Sequence, residues 1–410
     1  MEEFLRNSGF SEPLINAVHT LGYKHPTAVQ SECIPLILKG EEVKAKAPTG
    51  TGKTAAFALP ILELLRRDPY SVFALVISPT RELALQINDQ FKAFGSNISV
   101  KTQCIVGGVD ILRQAQALTQ IRPHIVIGTP GRLNTLLSQP DILEIFSNLQ
   151  FLVLDECDFL EESQKEDLDQ VKALISPSKV LNFSATLDEG PTLGERANIK
   201  EYFLLVPDVV KDNYLIKLLE RHSDINIIVF TQTCPEAFLL SKTLEEMKIS
   251  VLPLHSLMSQ HAREASLHHF RSAKAAVLVA TDVAARGLDL PQVRLVINHH
   301  VPRSSKTYLH RIGRTGRAGR GGMAITLVTQ FEVSLVLHIE KKLNTHLEEL
   351  YNEEEMKILE DEVVNTLNKV TNIKAVISHR VKRPSLDNKK RKELLVSKLK
   401  KIQRLSRNTT

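Results

Sequence analysis

The sequence predicts an α/β protein with two parallel β-sheets, each covered by helices. Short apolar runs rich in Val and Ile recur along the chain, and longer amphipathic stretches separate them. This alternation is typical of parallel strands that are buried on both faces. The runs form two groups, so we expect one sheet within 1–205, a linker at 206–213 and a second sheet within 214–345. The predicted strands are 72–77, 125–127, 151–154, 180–183, 227–230, 277–280, 294–297 and 324–328.

Composition narrows the class of protein. The chain has 410 residues, of which 43% are hydrophobic and 24% are charged, which excludes a collagen-like or wholly disordered chain. No apolar run is long enough to cross a membrane, and the first residues lack the pattern of a signal peptide. The four cysteines form no CxxC pair, so we expect neither a zinc site nor disulfides, and a reducing compartment fits best.

The net charge of +5 is unevenly distributed along the chain. Residues 380–407 contain twelve Lys or Arg and two acidic residues, which leaves the rest of the chain with a net charge of −5. We therefore expect a C-terminal extension, 346–410, that is first acidic and helical and then basic. The basic part suits three roles, namely an RNA tether, a targeting signal and a helix that docks on a partner.

The first motif with chemical meaning is a glycine-rich loop. Its two glycines let backbone amides turn toward a phosphate, and the N-terminus of the following helix adds to this anion site. Lys53 would reach the outer phosphates, and Thr54 would bind Mg²⁺. A strand is predicted before the loop and a helix after it, which favours a phosphate site over a chance glycine turn. The loop consists of Ala47, Pro48, Thr49, Gly50, Thr51, Gly52, Lys53 and Thr54.

The second motif is acidic. Asp155-Glu156-Cys157-Asp158 directly follows an apolar strand, where carboxylates are costly unless they serve a cation or a paired charge. Asp155 would hold Mg²⁺ through water, and Glu156 would orient and deprotonate the attacking water. Acids are also favoured at a solvated helix N-terminus. The glycine-rich loop favours the catalytic interpretation.

The third motif, His310–Arg317, interleaves arginine with glycine. Guanidinium groups at this density suit the recognition of several phosphates. Arg314 and Arg317 would act as arginine fingers if the segment faces the nucleotide from the second domain. A loop that binds only the backbone of a nucleic acid is the alternative, and spacing alone does not separate the two.

Polar clusters also follow other predicted strands, at 79–83, 129–132, 184–186 and 281–289. Open α/β sheets bind their ligands at the carboxyl ends of the strands. Each cluster alone is better explained as an ordinary turn or helix cap. Their recurrence in both halves of the chain predicts one long ligand groove.

Together with the pair Gly107-Gly108, these motifs resemble the DEAD-box ATP-dependent RNA helicases in order and approximate spacing, over about residues 4–345. The resemblance implies two RecA-like domains with ATP in the cleft between them and RNA across both. Members of this family close on ATP and RNA together, separate short duplexes locally and reopen after hydrolysis.

The resemblance also implies roles for individual residues. Gln30, in the segment 22–30, would read the adenine edge, and Phe4 would be the upstream aromatic, with Phe10 as the alternative. Gly287 and Asp289 would contribute to the nucleotide site, Asp289 at the ribose. The residues implied to bind RNA, or to couple it to the nucleotide, are Pro79, Thr80, Arg81, Gly107, Gly108, Thr129, Pro130, Gly131, Arg132, Ser184, Thr186, Gln260, Arg263 and Thr281.

The chain departs from the family pattern at two places. Cys157 replaces an alanine in the acidic motif, and Ala28-Val29 replace a commoner Pro-Ile pair. Cys157 supplies no catalytic group in the scheme above, and the change at 28–29 is mild, so we expect activity to be retained. The alternatives are a non-catalytic, ATP-gated RNA clamp and a DNA translocase, although the motifs resemble the RNA family more closely than a translocase.

A narrower resemblance concerns the segment 202–215 and the Lys-rich tail. Both are similar to the nucleolar DEAD-box helicases of small-subunit ribosome assembly. This resemblance implies pre-ribosomal RNA as the substrate, pre-ribosomal proteins as partners and a location in the nucleus and nucleolus. One chain holds a complete composite site, so a monomer suffices.

Overall fold

The computed structural model of the chain describes residues 1–48, 50–68, 72–185, 199–285, 290, 293–316 and 321–382. The strands are β1 (Val43–Lys46), β2 (Ala74–Ile77), β3 (Thr102–Ile105), β4 (Ile125–Gly128), β5 (Phe151–Asp155), β6 (Lys179–Ser184), β7 (Ile199–Leu205), β8 (Asn226–Thr231), β9 (Val251–Leu254), β10 (Val277–Thr281), β11 (Val293–Asn298), β12 (Gly322–Val328) and β13 (Glu348–Glu349).

The helices lie between and beyond these strands, with short 3₁₀ segments at Glu144–Phe146 and Asp208–Val210. They are α1 (Glu2–Asn7), α2 (Glu12–Thr20), α3 (Ala28–Leu38), α4 (Lys53–Arg67), α5 (Arg81–Phe94), α6 (Ile111–Ile121), α7 (Pro130–Leu137), α8 (Pro140–Leu143), α9 (Cys157–Ser163), α10 (Lys165–Leu174), α11 (Lys211–Arg221), α12 (Cys234–Glu246), α13 (Gln260–Ser272), α14 (Asp282–Ala285), α15 (Ser305–Ile312), α16 (Val333–Leu343) and α17 (Glu353–Lys382).

The strands form two separate parallel sheets, which confirms the predicted fold class. The first sheet has the order β1-β6-β5-β2-β4-β3, and the second has the order β13-β7-β12-β11-β8-β10-β9. Every strand that the apolar runs predicted is present. In the first sheet β1, β6 and β5 are neighbours, so the residues that follow them meet at one edge.

The alternation of side chains along each strand explains why helices cover both faces of a sheet. In β5, Val153 belongs to one hydrophobic cluster, and Leu152 and Leu154 belong to another. All three side chains are almost fully buried. Successive side chains of a strand point to opposite faces, so helices must pack on each side.

The predicted domain boundary at residue 205 and the linker at 206–213 are wrong. β7 pairs with β12 in the second sheet over seven residues, and α11 begins at Lys211. The chain therefore passes from the first sheet to the second between Ser184 and Ile199. β7 was missed because it carries Lys200 and Glu201 and is largely half-buried, so its sequence is not a continuous apolar run.

The predicted C-terminal extension from residue 346 is also wrong in part. β13 pairs with β7, and α17 packs on α11 and α12. Leu359, Val363 and Val370 of α17 are buried in the core of the second domain. They are spaced along one face of an otherwise charged helix, which hides them in a sequence that looks acidic. The basic segment from residue 383 lies outside the described residues.

Other expectations from composition can be compared with the structure. All four cysteines are free. No helix within the described ranges combines the length and the apolar character that a membrane span requires.

Replacing Leu359 by Ala is expected to lower the free energy of unfolding by about 2–5 kcal/mol, because it removes a fully buried side chain from the core. Ile358, the preceding residue, is 58% exposed, so Ile358→Ala is the matched control and should change stability by less than about 0.5 kcal/mol. Urea denaturation of both variants measures the difference. Equally small effects would contradict the assignment of α17 to the second domain.

Candidate nucleotide and RNA site

The glycine-rich loop connects β1 to α4, as its sequence predicts. Gly50 and Gly52 have positive φ angles of 81° and 85°. A Cβ atom on Gly52 would lie 2.3 Å from the side-chain amide nitrogen of Gln30, and the left-handed backbone at this position would be strained in any other residue. The Thr51 hydroxyl donates to the carbonyl of Pro48 at 2.7 Å and holds the turn. The loop thus has the tight, glycine-dependent path that a phosphate site requires.

Lys53 begins α4 and is buried at the base of this loop. Its ammonium group donates to the carbonyl of Ala47 at 3.0 Å. It also lies close enough to Asp155 to oppose the rise in that carboxyl's pKa. Lys53 therefore stands between the loop and the acidic motif.

Three acidic side chains gather at the carboxyl end of β5. Asp155 and Glu156 are 4% and 3% exposed. Burial raises the pKa of Asp155 to about 7; Lys53 opposes this rise, and the charges of Glu156 and Asp158 add to it. Glu156 has a φ of 52°, a left-handed conformation that is uncommon for a residue other than glycine.

Two features of this acidic cluster fit a bound cation and a water. Glu156 Oε2 is buried and has no hydrogen-bond partner among the described residues. Carboxylates crowded at low dielectric are also stabilised by a cation. Thr54, half-buried in the first turn of α4, is the hydroxyl that the loop offers toward such an ion. The residues present therefore suit Mg²⁺.

The second domain brings its arginine-rich motif to the same acids. His310 Nε2 lies 3.4 Å from the Asp158 carboxylate of the first domain. Arg314 is only 1% exposed, and its Nε donates to the carbonyl of His310 at 3.0 Å. Two of the three motifs predicted to act on phosphate thus face each other across the domains.

Arg311 has a structural role that the sequence did not reveal. Its guanidinium forms two bonds to the Asp282 carboxylate, at 2.6 and 2.9 Å, and lies over the Phe230 ring. It also donates to the carbonyl of His300 at 2.7 Å. A bidentate pair of this kind fixes α15 against the end of β10. A buried arginine needs an acidic partner, and Asp282 in the polar cluster after β10 was the sequence signal for this pair.

Gln30 ties the segment 22–30 to the glycine-rich loop. Its amide oxygen accepts from the backbone of Thr27 at 3.1 Å, and its amide nitrogen donates to the carbonyl of Gly52 at 3.2 Å. Phe4 packs, half-buried, beside the first core, whereas Phe10 is buried within it. Phe10 is thus a core residue.

A groove of about 520 Å³ runs between the domains beside this site. Most of its walls come from the polar clusters that follow β2 and β4, and part comes from the second domain. It is lined by Pro79, Thr80, Arg81, Glu82, Gly107, Thr129, Gly131, Arg132, Gln164, Asp167, Arg263 and Val283. The predicted clusters at 79–83 and 129–132 thus share one groove, to which the cluster at 281–289 adds Val283, whereas Ser184 does not line it.

Arg81 lies flat against the glycine pair of the first domain. A Cβ atom on Gly107 or Gly108 would come within 2.6 Å of the Arg81 guanidinium. Arg132 donates to the carbonyl of Val109 at 3.0 Å and braces the same turn. The absence of side chains on the glycines allows this close approach.

Glu82 joins the two domains and was not among the predicted site residues. It accepts from the Gln260 amide at 3.3 Å and pairs with Arg263 at 2.9 Å. Glu82 is 6% exposed, so this pair is well shielded from water. In the sequence, Glu82 is an acid in the first turn of a predicted helix. Acids are common at that position, so nothing marked Glu82 as a site residue.

Of the other predicted residues that the structure describes, some lie at strand ends and some at the start of a helix. The Ser184 carbonyl, at the end of β6, accepts from the Ala47 amide at 2.9 Å. Thr281, at the end of β10, is buried, and its hydroxyl has no partner within the described part of the chain. Thr129 and Pro130 begin α7. Thr49, Thr186, Gly287, Asp289 and Arg317 lie outside the described residues.

Comparisons with known proteins agree with this geometry. Residues 27–192 match the DEAD/DEAH box helicase family, and residues 210–319 match the helicase conserved C-terminal domain. The chain is 41% identical to the probable ATP-dependent RNA helicase DDX49 of Homo sapiens, over 95% of this chain and 85% of that protein. It is 42% identical to the ATP-dependent rRNA helicase RRP3 of Coccidioides immitis, over 87% and 80% respectively.

A solved structure extends the likeness to the fold. S. cerevisiae Dbp5 bound to RNA and ADP BeF3 matches with a TM-score of 0.76 at 26% identity, over 89% of this chain and 99% of that one.

Proposed function

The chain belongs to the DEAD-box ATP-dependent RNA helicases, and we propose that it hydrolyses ATP in the cleft described above while remodelling pre-ribosomal RNA. The observation that carries this proposal is the contact between the motifs. His310 of the second domain meets Asp158 of the first, and Arg314 is held to the carbonyl of His310. A complete set of phosphate-binding and acid–base groups is therefore assembled within one chain.

The first domain holds the nucleotide. The loop amides and the start of α4 bind the phosphates, and Lys53 neutralises part of their charge. Thr54 and Asp155 would hold Mg²⁺, which when bound would offset the negative charge of the phosphates. Gln30 and Phe4 flank the adenine, and Gly287 and Asp289 contribute from the second domain.

Hydrolysis of ATP requires an oriented water molecule and groups that stabilise the charge developing on the phosphate. Glu156 is the general base, since its buried Oε2 is free to accept from a water. Arg314 and Arg317 stabilise the charge that develops on the departing phosphate. Both arginines belong to the second domain, so the complete site forms only when the domains are closed.

RNA binds in the groove on the neighbouring rim. Arg81, Arg132 and the glycine turn contact its backbone from the first domain, and Arg263 contacts it from the second. Ser184 and Thr186 couple the two sites. Ser184 ends β6, whose neighbours β1 and β5 lead into the loop and the acids. RNA that spans both domains favours the closed state, and closure assembles the catalytic groups.

The narrower assignment concerns the RNA itself. The name of the relative RRP3, an rRNA helicase, supports pre-ribosomal RNA as the substrate. The likeness of residues 202–215 and of the Lys-rich tail to nucleolar small-subunit helicases supports the same substrate. We accordingly assign the protein to small-subunit ribosome assembly in the nucleus and nucleolus, as a monomer with pre-ribosomal protein partners.

Glu156→Gln is expected to lower RNA-stimulated ATP hydrolysis by about 10²–10⁴-fold, because it removes the general base. Nucleotide affinity should be retained, since Lys53 and the loop are unchanged. Glu162→Gln is the matched control, because Glu162 is an exposed acid of α9. Steady-state turnover with and without RNA measures the effect. Unchanged turnover in Glu156→Gln would contradict the assigned base.

Crosslinking of the bound RNA in cells, followed by sequencing, tests the substrate. Pre-ribosomal RNA should dominate in the wild type and be depleted in an Arg81→Ala variant, which loses a groove contact. Recovery of mainly messenger RNA would overturn the ribosomal assignment and leave the ATPase assignment intact.

A further inference from the structure

The last helix of the described chain runs along the second domain toward the catalytic edge. Near the start of α17, Glu362 pairs with Arg221 at the end of α11, at 3.2 Å. Three turns later, Lys374 pairs with Asp212 at the start of α11. α11 begins shortly after the carboxyl end of β7, so Lys374 lies at the edge of the sheet that carries the site.

Asp212 is a buried carboxylate held by two groups. His299 Nε2 lies 2.8 Å from Asp212 Oδ1, and the Lys374 ammonium contacts Oδ2. Burial alone would raise the pKa of Asp212, but His299 and Lys374 hold it well below its usual range. The carboxylate therefore stays charged, and losing either partner would leave that charge less well compensated.

The Asp212 partner His299 belongs to the segment that anchors Arg311. Asn298 ends β11, and His299 and His300 follow it directly. Arg311 donates to Asn298 Oδ1 at 3.3 Å and to the His300 carbonyl at 2.7 Å. Asp212 thus holds this segment through His299, and Arg311 binds the same segment through Asn298 and His300.

Arg311 is next to the residues that reach the first domain. It follows His310, which faces Asp158, and Arg314 donates to the His310 carbonyl. Polar contacts and short stretches of backbone therefore lead from Lys374 through Asp212 and His299 to Arg311, and on to His310 and Arg314.

We infer that Lys374 is a positioning residue for ATP hydrolysis, acting through Asp212 and His299 on Arg311 and Arg314. Lys374 touches no reacting group. It fixes the Asp212 carboxylate, which in turn orients His299 and the end of β11. This inference rests on the role proposed above for Arg314. Small displacements of catalytic groups by distant changes lower turnover, which makes the effect measurable.

The test measures kcat and KM of RNA-stimulated ATP hydrolysis in the full chain, with thermal unfolding of each variant. Lys374→Met should lower kcat roughly tenfold with KM for ATP unchanged, because the first domain holds the nucleotide. Lys374→Arg, which keeps the charge, should restore most of kcat. Lys369→Met is the matched control, since Lys369 is an exposed lysine of the same helix and should behave as wild type.

Two further variants separate this inference from the proposed function and from a general loss of stability. In an Asp212→Asn background, which lacks the charge, Lys374→Met should lower kcat no further. Arg314→Ala should lower kcat by itself. A loss in Arg314→Ala without one in Lys374→Met overturns the positioning role alone, and no loss in Arg314→Ala overturns both. Equal losses from Lys374→Met in the two backgrounds would show a stability effect and refute the inference.

Discussion

Negative charge buried at the end of one strand is the constraint on which the rest of the structure depends. Asp155, Glu156 and Asp158 stand where β5 leaves the core, and burial raises the pKa of Asp155 to about 7. Carboxylates at such a place are unfavourable unless positive groups meet them. The first domain supplies one, Lys53, from beneath the glycine-rich loop. The second domain brings His310 to 3.4 Å from the Asp158 carboxylate, so part of the surroundings of the cluster comes from across the domain boundary.

The same division between domains recurs on the RNA side. Glu82 of the first domain meets Gln260 and Arg263 of the second, and this contact borders the groove. One interdomain contact therefore lies beside the proposed nucleotide site and the other beside the proposed RNA site. A ligand that stabilises either contact also favours the other, because both belong to one closed arrangement. The proposed stimulation of ATP turnover by RNA would have its physical basis in this coupling.

Sequence and structure agree where the determining forces are local. The glycine-rich loop was predictable because its path requires glycine, and β5 was predictable because a strand buried on both faces is uniformly apolar. They differ where a partner lies far away in the chain. β7 is recognisable only from its pairing with β12, and Leu359 only from the core that receives it. Glu82 and Arg311 were missed for the same reason, since their partners come from another element or domain.

A double-mutant cycle on Asp158 and His310 tests the central claim most directly, that the acidic cluster is completed by the second domain. RNA-stimulated kcat would be measured for Asp158→Asn, His310→Gln and the double variant. Each single variant should lower kcat. The double variant should have a kcat little below that of the more impaired single variant, because both changes remove the same contact. Losses that multiply independently would contradict it.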